Sequence, residues 1–141
     1  MIVNTAYPYM KSAAPVSPVV FDGNTVNYPY SITGNVSLES VGFRFTGSDA
    51  SLQFKNLDLS NYTKLNLSAL NTYSYPQNFL IQITGPDGSV SDNLVYTIAA
   101  GSTSNFDREI PSAFRAKKCS LKISINCIAP PSMLAKKLTC K

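Results

Sequence analysis

Residues 43–83, FRFTGSDASLQFKNLDLSNYTKLNLSALNTYSYPQNFLIQI, decide how this chain folds. Phe43 and Phe45, then Leu52 and Phe54, then Leu65 and Leu67, then Phe79, Ile81 and Ile83 each stand one residue apart, and all but one of the residues between them, Leu80, are polar. That period of two belongs to strands with one face buried and one solvated. Between the runs, Thr46-Gly47-Ser48-Asp49 and Thr84-Gly85-Pro86-Asp87-Gly88 carry turn residues, which tolerate backbone angles that branched side chains do not. The stretch predicts a β-meander with its apolar residues on one side.

Working outward, the same signals continue. Val19-Val20-Phe21, the turn Asp22-Gly23-Asn24 and Thr25-Val26-Asn27-Tyr28 read as a short hairpin. Tyr30–Thr33 and Val36–Leu38 predict further strands, as do Asn93–Ile98, Phe106–Ile110 and Cys119–Cys127. Ser112–Ala116 is expected to turn once as a helix. Residues 1–20 are predicted to form an extended arm, because prolines such as Pro8, Pro15 and Pro18 cannot donate to a sheet. Ile2, Val3, Tyr7, Tyr9 and Met10 make that arm apolar and suit it to packing on its own domain or, as an assembly arm, on another subunit. The predicted organisation is an arm over 1–20, a sandwich over 21–131 and a short basic tail over 132–141. The fold class is all-β, an antiparallel β-sandwich of jelly-roll type.

Charge and cysteine bound the chemistry. The chain has 141 residues, enough for one domain with its own core. Only 14% of residues are charged, so Asn, Ser and Thr do much of the solvating. Residues 1–107 hold four basic and seven acidic side chains, whereas 108–141 hold eight basic and one acidic. No aromatic side chains interleave with Lys117, Lys118, Lys136 and Lys137, so nucleic acid is not the expected partner. Cys119, Cys127 and Cys140 are an odd set without zinc-finger spacing, and buried free thiols are expected. Cys119 and Cys127, eight apart in one strand, would share a face and stand too far apart to bridge.

Neither a signal-like leader nor a membrane-length apolar run of ~18 residues is visible. With no histidine, and with Glu39 and Glu109 as the only glutamates, no acid, base or nucleophile set assembles; catalysis is not expected. Asp22, Asp49, Asp87 and Asp92 lie in turns, where carboxylates serve the backbone before any metal.

The link Asp58-Leu59-Ser60-Asn61-Tyr62 with Leu65 resembles the D-L-S-x-Y-x-x-L stretch of jelly-roll carbohydrate-binding modules, and the likeness extends over about residues 35–128. In that family the stretch bridges strands of opposite sheets and its ring plugs the end of the sandwich. The resemblance implies sugar binding through exposed aromatics and allows a structural calcium; no other cofactor is expected. Tyr73, Tyr75, Gln77 and Asn78 are the residues on which such a role would fall. In layout, a Pro/Tyr-rich arm before an Asn/Ser/Thr-rich sandwich is also similar to accessory structural proteins of tailed bacteriophages. That likeness implies a homo-oligomeric virion subunit (a decoration, baseplate or fibre-associated part) made in the host cytoplasm. Its partners would be other virion proteins and host-surface carbohydrate.

Overall fold

The computed structural model describes residues 17–47, 49–126 and 133–141. Twelve strands follow one another: β1 Val19–Asp22, β2 Thr25–Val26, β3 Tyr30–Thr33, β4 Val36–Glu39, β5 Gly42–Phe45, β6 Ser51–Leu57, β7 Lys64–Asn71, β8 Gln77–Thr84, β9 Leu94–Ile98, β10 Thr103–Glu109, β11 Cys119–Asn126 and β12 Met133–Cys140. A 3-10 turn at Ser112–Phe114 stands where one helical turn was expected. No helix among the described residues is long and apolar enough to cross a membrane.

The strands form two antiparallel sheets. One has five strands in the order β3-β6-β11-β8-β9. The other has seven: β10-β7-β12-β1-β2, with β5 beside the first half of β12 and β4 beyond β5. The alternating residues of both sheets meet in one core. Phe21 and Phe43 from the seven-stranded sheet reach Phe54 of β6, the Phe21–Phe54 rings stacking at 5.7 Å. Phe45 meets Phe79 edge-on at 5.2 Å. Leu65, Leu67, Ile81, Leu121 and Ile123 fill the space between. Such packing is the main stabilising term of a sandwich.

The meander expectation fails in an instructive way. β5, β6, β7 and β8 alternate between the two sheets, so none of β6, β7 and β8 pairs with its predecessor. β11 lies between β6 and β8, and β12 lies beside β7. Alternation states which side chains must be buried, and burial against the opposite sheet satisfies it as well as pairing within one. Residues 58–63 are enough chain to cross the ~10 Å between stacked sheets. This crossing matches what the Asp58–Tyr62 resemblance implied. Leu59 is buried, its N–H donates to Ala116 O at 2.8 Å, and Tyr62 packs half-buried against the core.

The predicted tail over 132–141 is also corrected. Met133–Cys140 is an interior strand, hydrogen-bonded to β7 on one side and to β5 and β1 on the other. Its register slips between Ala135 and Lys137. Met133 and Ala135 face the core before the slip, Leu138 and Cys140 after it, and both lysines stay out. A bulge of this kind switches the parity of inward positions and hides the strand from a search for strict alternation. Gly42 accommodates it: its φ is +139°, and a Cβ there would lie 2.2 Å from Ala135 O. At the other end of the sheet, β1 begins within the predicted arm, and Cys140 N–H donates to Pro18 O at 2.6 Å. Ile2, Val3, Tyr7, Tyr9 and Met10 lie outside the described residues.

Cys119 and Cys140 are buried free thiols, as expected, while Cys127 lies outside the described residues. Burial pushes the Cys140 thiol up to about 12. It therefore stays protonated and unreactive near neutral pH.

Candidate functional site: a braced tyrosine tip and the face beside it

The loop between β7 and β8 is held from below by Asn71. β7 places Leu65, Leu67, Ala69 and Asn71 at successive inward positions, so the last of these puts an amide into the core at 0% exposure. A buried amide is stable only when its hydrogen bonds are made. Asn71 Nδ2 donates to Tyr75 O at 2.7 Å and to Ile98 O at 3.1 Å, and Asn71 Oδ1 accepts from Tyr73 N–H at 2.9 Å. The turn between β9 and β10 adds two backbone bonds, Gly101 N–H to Tyr73 O and Asn71 N–H to Ser102 O, both 3.0 Å.

On this support Tyr73 and Tyr75 sit with ring centroids 5.8 Å apart and planes tilted by 42°. Tyr73 is half-buried, whereas Tyr75 is 58% exposed. The tip thus offers one free ring face whose backbone is already fixed, so stacking on it costs little ordering entropy.

Of the other expected site residues, Asn78 belongs beside this tip and Gln77 does not. β8 starts at Gln77 and points Gln77, Phe79, Ile81 and Ile83 inward. Gln77 is 2% exposed and cannot meet a ligand arriving from solvent. Its Nε2 and Oε1 have no hydrogen-bond partner among the described residues, an arrangement that costs about 1–3 kcal/mol. Asn78 has the opposite parity and lies on the outer face, opposite Thr97 of β9.

From Asn78 the outer face of the five-stranded sheet runs along β8. Leu80 lies beside Ser124, which in turn faces Ser51. The next row is Ser31, Gln53, Lys122 and Gln82, one residue from each of four strands. Thr84 pairs with Ser120 in the last row, toward which Lys55 of β6 points. Gln82 is steadied by donation from its Nε2 to Ser91 O at 3.2 Å. The face carries hydroxyls, amides and two lysines, with Leu80 opposite the exposed Val95, and is about 20 Å long from Asn78 to Thr84.

Asn71 was missed by reasoning from sequence, although a polar residue in the inward phase of an otherwise apolar strand is a usable signal. The turn aspartates stay in their turns. Asp22 pairs with Lys137 at 3.6 Å, and Asp87 accepts from Ser89 N–H at 3.1 Å and from its hydroxyl at 2.6 Å. Those bonds hold the Asp87 carboxyl below its usual range. No three His, Cys, Asp or Glu side chains converge among the described residues.

No protein-family model matches the sequence, and no curated protein is recognisably similar to it in sequence. Solved structures are similar in fold. The xylan-binding module CBM15 superposes with a TM-score of 0.60 at 10% identity, covering 79% of this chain and 87% of that one. The carbohydrate-binding module CBM36, in complex with calcium and xylotriose, gives 0.63 at 8% identity over 79% of this chain and 92% of that one. An agarase, AgWH50C, gives 0.65 at 13% identity; 87% of this chain matches 24% of the enzyme. The shared property is the architecture. The chain is a jelly-roll β-sandwich of the kind found in carbohydrate-binding modules.

Proposed function

We propose that this protein is a non-catalytic carbohydrate-binding module that holds a glycan chain against Tyr75 and the adjoining outer face of the five-stranded sheet. The observation that supports it most is the exposed Tyr75 ring on a loop immobilised by a buried asparagine, three residues before Asn78, which lies opposite Thr97. A ring presented on a fixed backbone beside amides and hydroxyls suits a sugar, which has apolar C–H faces and a polar rim. The fold likeness to CBM15 and CBM36 supports the same reading. A virion subunit, the other expectation from the sequence, draws no support from these structures.

The test is affinity electrophoresis through gels containing plant and algal polysaccharides, backed by a glycan array. At least one polysaccharide should retard the protein, and Tyr75→Ala should weaken that retardation about tenfold, the value of one ring contact. Gln77→Leu should leave it unchanged. Absence of retardation by every glycan would remove the proposal.

A further inference from the structure

The two outer faces of the sandwich treat charge in opposite ways. On the seven-stranded sheet every strand carboxylate is paired: Glu39 with Arg44 at 2.7 Å, Glu109 with Arg115 at 3.1 Å, Asp22 with Lys137 at 3.6 Å and Asp107 with Lys141 at 3.4 Å. The five strands of the other sheet contain no Asp or Glu at all. They carry two cations, Lys55 and Lys122, both exposed on the outer face and neither in an ion pair among the described residues.

Register brings these two together. Lys122 is directly opposite Gln53, and Lys55 is the next outward residue after Gln53 on the same strand. That makes the two lysines diagonal neighbours, about 7–8 Å apart at Cβ. Gln53 and Gln82 flank Lys122 on either side. The nearest acidic side chains in sequence to β8, Asp87 and Asp92, lie in the loop after it, and Asp87 is engaged with Ser89.

We propose that this face selects an acidic polysaccharide. Lys55 and Lys122 receive carboxylate or sulfate groups of the chain, while Gln53, Gln82 and the neighbouring hydroxyls take its sugar hydroxyls. The inference rests on the carbohydrate-binding reading above and adds the ligand's charge. A neutral glycan gains nothing from two unpaired ammonium groups on a face without acids. An anionic one gains two charge-assisted contacts and meets no like charge.

The experiment compares retardation of the full chain by polygalacturonate, dextran sulfate, unsubstituted xylan and a single-stranded oligonucleotide, at low and high salt. Polygalacturonate or dextran sulfate should bind best, with affinity falling as salt rises, and the preferred polymer tells carboxylate from sulfate. The double variant Lys55→Gln with Lys122→Gln, which keeps the side-chain length, should lose about tenfold for that polymer. Lys64→Gln, an equal charge change on the other sheet, should lose less than twofold. Three results would overturn the inference: binding of xylan alone, an equal loss in Lys64→Gln, or oligonucleotide binding with the same lysine dependence. Binding of xylan alone would leave the carbohydrate-binding proposal standing, whereas binding of no polysaccharide would remove both.

Discussion

The seven-stranded sheet and the five-stranded sheet share one core and differ in almost everything outside it. The first is assembled from distant pieces, with β12 shared by three neighbouring strands and a bulge in its middle. Each carboxylate on its strands is paired with a cation. The second is more regular, its β8–β11 ladder running unbroken over seven residue pairs, and its outer face holds amides, hydroxyls and two unpaired lysines. The difference teaches where to look for function. A face whose polar groups already satisfy one another offers a ligand little. A rigid face with uncommitted groups offers a ligand something to bind.

The largest expected effect tests the assembled sheet. Gly42→Ala puts a methyl group onto Ala135 O in a backbone region that L residues avoid. It should cost about 3 kcal/mol or more, read as a lowered denaturation midpoint in urea; a loss under about 1 kcal/mol would mean that the bulge relaxes freely.

Next comes the boundary between the sheets, where two buried amides behave differently. Asn71→Ala orphans Tyr73 N–H together with Tyr75 O and Ile98 O, and should cost about 2 kcal/mol and weaken glycan retardation. Gln77→Leu removes two unpaired polar atoms and should be neutral or slightly stabilising by thermal denaturation. If both substitutions destabilise equally, Gln77 has a partner beyond the described residues.

The smallest effect is electrostatic. The Arg44 guanidinium holds the Glu39 carboxyl below its usual range, and a hydrogen bond from Asn66, ahead of the Lys141 ammonium, does the same for Asp107. A depressed carboxylate contributes stability that is present above its unfolded value of about 4 and is lost as pH falls through the lower folded value. Both groups are on the seven-stranded sheet, and the strands of the other carry none. Acidification from pH 6 to pH 3 should therefore speed amide exchange in β4, β5 and β10 more than in β6, β8 and β11. Equal acceleration would erase the contrast between the faces.

Much of this was legible residue by residue. The inward sets Leu65-Leu67-Ala69, Phe79-Ile81-Ile83 and Leu121-Ile123-Ile125 follow from alternation alone, and all nine residues are buried. Tyr75 lies exposed in the loop where the sequence put it, whereas Asn78, also read as loop, is an outward residue of β8. Gln77 was misassigned because it was read as loop, whereas β8 begins there, two residues before Phe79 and in the same inward phase as Phe79, Ile81 and Ile83. Met133–Cys140 was missed because its bulge breaks the pattern by which strands are recognised. The paired and unpaired cations could not be told apart at all: Lys55, Lys122 and Lys137 look alike in a sequence, and only Lys137 has Asp22 beside it.

By itself, then, the sequence determined the period of most strands and the side chains that had to leave water. Those are local matters, settled by spacing and side-chain chemistry. Only the tertiary structure decided which strands lie side by side, that the C-terminal residues complete the larger sheet, and which sheet sets no strand carboxylate beside its cations. The physical reason is that an apolar face is satisfied by any suitable apolar neighbour. Pairing and charge compensation depend instead on the particular residues that folding brings together across more than a hundred positions, as it brings Asp22 to Lys137.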